Sequence, residues 1–261
     1  MKSTKTAKSM EEHVSNNLAQ CLVITAILST IVGCFPVGEN VVKKQSLDNE
    51  PSFVLQEDGI DASSLSIESL LDEDTERIIT SYGSTIKENS ATYGFDWRLI
   101  LAVMKQESQF DPKAKSHRGA SGFMQMMPRT RAEIARKLNL KDITQPKNNI
   151  RGGIYYMSRL YRLFEGAEES DRIKLTLAAY NAGIRRIYDA QEVAAYFHED
   201  PTRWRSIQDA LPLLSKRYYT LHGNVWPEKK PRSGWFGNST ETVAYVENIL
   251  TYYDEYRLML N

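Results

Sequence analysis

Trp97-Arg98-Leu99-Ile100-Leu101-Ala102-Val103-Met104-Lys105-Gln106-Glu107-Ser108 is the stretch from which the fold of this chain can be read. The run from Leu99 to Met104 is apolar without interruption, and a helix that is apolar nearly all round belongs in a core. Asp96 stands where it can N-cap that helix. At the far end the run gives way to Glu107, a carboxyl leaving a buried helix beside the negative end of the macrodipole. Burial adds desolvation in the same direction. Both raise its pKa, which suits a group that must donate a proton at neutral pH. Taken alone, Glu107-Ser108 reads more readily as a surface pair at a fraying helix end. The surrounding chain changes that balance.

Apolar residues recur at helical spacing on both sides of this core helix. Ile78, Ile79, Tyr82 and Ile86 mark one face of a preceding helix, in a regular body that begins at Thr75. Beyond the core helix, a third helix is expected after Pro128 through Ile134 and Leu138. A fourth follows Pro146, with Ile150, Ile154, Met157, Leu160, Tyr161 and Phe164 inward. Residues 173–180 form a fifth, closed by Asn181-Ala182-Gly183, a glycine-marked break. Helices are expected near 193–197 and over 204–219, a loop over 226–239 and a last helix over 242–258. Strand alternation is nearly absent, so the body is mainly α.

The flanks carry different information. Lys2, Lys5 and Lys8 precede an apolar stretch over 21–33, which is shorter than the ~20 residues a spanning helix needs and matches the apolar region of an export signal. It ends in Ile31-Val32-Gly33-Cys34, which resembles the lipobox of bacterial lipoproteins, with Cys34 as the lipidated residue. An uncleaved anchor helix extended by Leu18 and Ala19 is the competing reading. Residues 1–33 are thus a signal peptide. Residues 34–74 are an acidic tether, with a short helical pattern at 65–71. Phe35 after Cys34, in place of Asp, is compatible with sorting to the outer membrane.

The chain has only two cysteines, and its formal net charge of zero hides an asymmetry. Residues 35–75 hold ten Asp/Glu against two Lys/Arg; residues 76–261 hold 28 Lys/Arg against 21 Asp/Glu. The basic body would be drawn to an anionic polymer, but nucleic acid conflicts with an export signal. No Cys/His spacing suits a metal, the four histidines are scattered, and no cofactor is expected.

Three further segments bear on chemistry. Gly119-Ala120-Ser121-Gly122-Phe123-Met124-Gln125-Met126-Met127-Pro128 places two glycines where backbone can approach a ligand. Gln125 in that segment offers both an amide donor and an acceptor. Its methionines serve equally as core filling. Ala179-Tyr180-Asn181-Ala182-Gly183 offers a phenol and an amide at a helix end, or simply a helix cap. Glu241-Thr242-Val243-Ala244-Tyr245-Val246 opens the last helix, with Tyr245 read as core. Asp111-Pro112 is a turn starter.

In that order, and together with Ser116, these segments are similar to the lytic transglycosylase family of peptidoglycan-cleaving enzymes (SLT-type, glycoside hydrolase family 23-like). The resemblance covers roughly residues 93–256. Ala210-Leu211-Pro212-Leu213-Leu214 with Lys216-Arg217-Tyr218-Tyr219 is similar to the membrane-bound lytic transglycosylase F branch. That branch usually carries a solute-binding-like domain, where here a short tether stands. The resemblance implies a lysozyme-like (goose-type lysozyme/SLT) fold, with residues 75–261 as the catalytic domain. It also implies cleavage of the MurNAc–GlcNAc bond without water, to give a 1,6-anhydro end. Glu107 would be the catalytic acid, then the base. Ser116, Gly119, Gln125, Met127, Tyr180 and Asn181 would line a glycan groove, supported from behind by Glu241 and Tyr245. Trp226 and Trp235 are candidates either for sugar stacking or for loop anchoring. The implied partners are peptidoglycan strands and, through Cys34, a membrane. A hydrolytic muramidase and a silent peptidoglycan-binding lipoprotein are the alternatives.

Overall fold

The computed structural model describes residues 71–260. The chain divides into two units, Met1–Gly59 and Ile60–Asn261, and every described residue lies in the second. The expected signal peptide, Cys34 and nearly all of the tether lie outside the described residues, as does the helical pattern at 65–71 up to its last residue.

Helix α1 (Glu73–Tyr93) starts two residues before the expected body. The Asp72 carboxylate accepts from the Thr75 N–H at 2.9 Å, and Glu73, Asp74 and Glu76 occupy the first turn. Carboxylates that read as tether composition therefore complement a helix N-terminus. Gly94, at φ 74°, ends the helix in the left-handed conformation.

Helix α2 (Trp97–Ser108) is the core helix, capped by Asp96, which accepts from Arg98 N at 2.9 Å. Leu99 to Met104 are all buried. It ends abruptly at Gln109 and Phe110, both at positive φ (49° and 62°). Two consecutive non-glycine residues in that region are unusual and carry strain; they fix where the helix stops, directly after Glu107 and Ser108.

Helices α3 (Pro128–Lys137) and α4 (Pro146–Arg162) each start on a proline, whose missing N–H costs nothing at that position. Ile150, Ile154, Met157 and Leu160 of α4 are buried as expected, and so is Phe164 just past its end. Tyr161 is half-buried, its ring 5.3 Å from that of Phe95. Helix α5 (Glu169–Ala182) is broken from α6 (Ile184–Tyr196) by Gly183 at φ 90°. Helix α5 packs against α4 and α6, and the last helix packs on both α5 and α2. Enclosure from several directions accounts for the buried run Leu175 to Ala179.

Two sequence expectations need correction. The helix placed near 193–197 begins at Ile184. The single helix over 204–219 is four pieces: α7 (Trp204–Ala210), 3-10 turns at Leu211–Leu214 and Lys216–Tyr218, and α8 from Tyr219 to Val225. Pro212 cannot supply an N–H to an α-helix, and Ser215 is extended at ψ 145°. Helix α9 (Ser239–Met259) closes the described chain. Among the described residues the β-structure is limited to isolated bridges pairing Ser121 with Lys115 and Met126. The body is mainly α.

Candidate active site

The segment from Gln109 to Met127 joins α2 to α3 as a coiled loop that holds itself by its own polar groups. Ser116 Oγ accepts from Ala120 N at 3.0 Å, and Gly119 N donates to Ser116 O at 2.9 Å. Gln125, at φ 39°, donates its amide nitrogen to Ala114 O (3.0 Å) and Gly122 O (2.9 Å). The amide donor expected to meet a ligand is therefore spent within the loop.

The glycines are likewise needed by the fold. Gly122 sits at φ 79°, and a Cβ there would stand 2.5 Å from Asn149 Nδ2. Gly119, at φ 83°, would put a Cβ 3.3 Å from the Pro128 ring. The space these glycines leave is taken by the protein's own Asn149 and Pro128 side chains.

Asn149, which the sequence reading did not single out, is the buried clasp of the loop. Its Oδ1 accepts from Met124 N at 2.9 Å and its Nδ2 donates to Ser121 O at 3.2 Å. Gly153, one turn further along α4, gives Met124 its space: a Cβ there would meet Met124 Cβ at 2.5 Å. Asn149 and Gly153, four apart on an otherwise apolar helix face, were the available signal.

Two more side chains fasten this loop to neighbouring helices. Ser108 Oγ lies 3.1 Å from both Met104 O and Phe123 O, so the residue after Glu107 ties the helix end to the loop. The Tyr180 hydroxyl, from the end of α5, donates to Met124 O at 2.7 Å. The Tyr156 ring lies 5.4 Å from that of Tyr180.

Glu107 is held among these elements. Its residue surface is only partly covered, but its carboxyl is enclosed and its pKa is pushed up to about 7 by burial. The Tyr245 hydroxyl donates to Glu107 Oε1 at 2.6 Å and pulls in the opposite direction. Tyr245 therefore contacts the acid directly, where the sequence reading put it behind the groove. Burial, and then the nearby Glu107 carboxylate, hold the phenols of Tyr245 and Tyr180 well above the usual tyrosine range. Both remain neutral hydrogen-bond donors.

The other expected residues are more dispersed. Asn181 Oδ1 accepts from Thr242 Oγ1 at 2.9 Å, joining α5 to α9. Glu241 is exposed and accepts from Asn238 Nδ2 at 3.0 Å, engaged in its own turn. Ser116 is exposed, and Met127 is 42% exposed, whereas Met124 and Met126 are core. Trp226 is 1% exposed and donates through Nε1 to Glu192, so it anchors its loop and cannot meet a sugar. Trp235 is 49% exposed, under the Lys216 ammonium at 5.1 Å. No group of three or more His, Cys, Asp or Glu suited to a metal occurs among the described residues.

Residues 84–201 match the family model of the transglycosylase SLT domain. This interval contains Glu107, the loop, Asn149 and the Tyr180-Asn181 pair; Tyr245 lies beyond it. The membrane-bound lytic murein transglycosylase F of Desulfosudis oleivorans is 37% identical over 173 residues, covering 65% of this chain and 35% of that protein. Membrane-bound lytic murein transglycosylase F 1 of Alkalilimnicola ehrlichii is 40% identical over 176 residues, covering 66% and 32%. The solved 70 kDa soluble lytic transglycosylase SLT70 of Escherichia coli is 24% identical, with a TM-score of 0.49, over 74% of this chain and 26% of that one. The chain thus spans about a third of the length of the curated relatives it matches. Residues 84–201, which hold the half-buried Glu107, the clasped loop and the neutral Tyr180, are thus similar to the transglycosylase SLT domain.

Proposed function

We propose that the chain is a peptidoglycan lytic transglycosylase with a lysozyme-like catalytic domain, and that Glu107 is its catalytic acid and base. The observation that carries this reading is the enclosed Glu107 carboxyl, with a pKa of about 7 and a single neutral hydrogen-bond donor, Tyr245, upon it. Such a group is protonated in a useful fraction at neutral pH and returns to a carboxylate without an opposing charge nearby.

In the proposed reaction Glu107 gives its proton to the oxygen linking MurNAc to GlcNAc, and that bond breaks. The N-acetyl oxygen of the same MurNAc stabilises the positive charge at C1. The Glu107 carboxylate then takes the proton of the MurNAc C6 hydroxyl as O6 bonds to C1. The sugar ends as the 1,6-anhydro form, Glu107 is again protonated, and no water is consumed. Glycosidases that use water, or a protein nucleophile, require a second carboxylate about 5–9.5 Å from the first. The proposed route needs Glu107 alone, because the N-acetyl oxygen and the C6 hydroxyl of the substrate take the parts of the second carboxylate and of water. Tyr245 orients the acid, and Tyr180 and Asn181 form the adjoining wall. Ser116, Gly119, Gln125, Met127 and Glu241 act mainly by shaping the loop and helix start along the groove.

Membrane attachment belongs to the same reading. The relatives are named membrane-bound, and no described helix is long and apolar enough to cross a membrane. Acylation at Cys34, with the body at the periplasmic face of the outer membrane, supplies the attachment. Replacing Cys34 by Ser should move the protein from the membrane to the soluble fraction.

The catalytic test is mass spectrometry of digested murein. The expected products carry anhydro ends, each lighter by one water than a reducing end; reducing ends would instead establish a hydrolytic muramidase. Glu107→Gln should lower turnover at least about a hundredfold, the scale of general acid catalysis, with folding and sacculus binding retained.

A further inference from the structure

A cavity of about 200 Å³ next to Asn181 is not used by the reaction proposed above. Separated segments wall it: Arg118 from the loop after α2, Asn181 and Arg186 about the α5–α6 break, Trp235 from the loop before α9, and Glu241 and Thr242 in the first turn of α9. The Thr242–Asn181 hydrogen bond of 2.9 Å fixes one wall. Thr242 lies one helical turn before Tyr245, which holds Glu107, so the cavity continues the groove along α9.

Its chemistry is cationic. Arg186 is pinned by a 2.6 Å bond from Nη1 to Ala182 O and by the Phe236 ring, whose centre is 4.9 Å from the guanidinium carbon. That leaves its Nε buried with no hydrogen-bond partner. Arg118 is exposed. Among the described residues neither arginine takes part in a salt bridge. The Lys216 ammonium sits over the exposed ring of Trp235. The one carboxylate in the wall, Glu241, already accepts from Asn238. Free guanidinium N–H groups in a fixed geometry are suited to a carboxylate. In a peptidoglycan strand the N-acetylated sugar rings are neutral, and the carboxylates are on the peptide borne by the muramic residue.

Resting on the reading of the chain as a peptidoglycan lytic transglycosylase, we propose that this cavity seats a carboxylate of the stem peptide. Arg118 and Arg186 then determine preference for peptide-bearing glycan. The decisive experiment measures binding, which cleavage does not confound. A disaccharide tetrapeptide, and the same compound with its carboxylates converted to amides, are titrated into the full chain carrying Glu107→Gln. The free acid should bind about tenfold more tightly, an increment of the size expected from charge-assisted hydrogen bonds. Adding Arg118→Ala, a change at an exposed side chain, should remove most of that preference, and Arg186→Lys should reduce it. Equal affinity for acid and amide overturns the proposal, as does a preference that survives Arg118→Ala unchanged. Failure of the wild-type protein to release anhydro products would overturn the catalytic reading instead, and would leave this preference measurable.

Discussion

Glu107 makes the protein pay for readiness in stability. Its pKa rises from 4.5 to about 7 on folding. Between those values the folded state holds a proton that the unfolded state has released, so stability falls as pH rises through the window. The full penalty, present above pH 7, is roughly 3 kcal/mol. Glu107→Gln should therefore raise the melting temperature by several degrees at pH 8.5, with the gain fading as pH falls from 7 to 4.5; calorimetry across pH reads this directly. Tyr245 adjusts the same group from the other side. Its hydroxyl favours the carboxylate, so Tyr245→Phe should raise the Glu107 pKa and move the alkaline limb of the pH–rate profile upward. A rate that falls uniformly, with no displacement of that limb, would assign Tyr245 to packing alone. At this scale the sequence was informative: an apolar helix ending in a carboxyl implies burial and an elevated pKa. The direct bond from Tyr245 was not legible, because it joins residues 138 positions apart.

At the scale of elements, the loop after α2 owes its shape to α4. Asn149 satisfies Met124 N and Ser121 O in a fully buried setting. Asn149→Ala should cost about 2–4 kcal/mol, because a donor and an acceptor are left buried and unpaired. Gly122→Ala should be comparably harmful, since the added Cβ meets Asn149 in a backbone conformation that disfavours it. Chemical denaturation measures both, and activity should fall with them as the loop shifts against Glu107. Helix type was legible wherever apolar spacing was strong, as in α2 and α4. It failed over 204–219, where the helical spacing continues through Pro212 although the backbone cannot. Gly122 and Gln125 are engaged by the chain itself for a related reason. A residue suited to approach by a ligand is equally suited to approach by the chain itself, and spacing alone does not distinguish them.

Across the whole molecule, the polar groups that matter most connect segments distant in sequence. Asp189, 2% exposed, accepts from Arg232 N at 3.1 Å and Ser233 N at 2.9 Å, and also from Ser233 Oγ. With buried Trp226 it secures the loop that carries Trp235. Asp189→Ala should destabilise by about 2–4 kcal/mol, since the two backbone donors lose their acceptor, and should expose this loop to limited proteolysis. Nothing in the sequence marked Asp189, because the start of α6 was not legible from spacing. The excess of Lys/Arg over Asp/Glu in residues 76–261 was legible in the sequence, but its concentration beside Asn181 required the fold. The carbonyls of Phe123 and Met124 and the N–H of Met124 are already bonded to Ser108, Tyr180 and Asn149 before any sugar arrives. Glycan capture then loses little conformational freedom on the protein side. Amide exchange at Met124 should be among the slowest outside the helices, and should scarcely change when the strand binds.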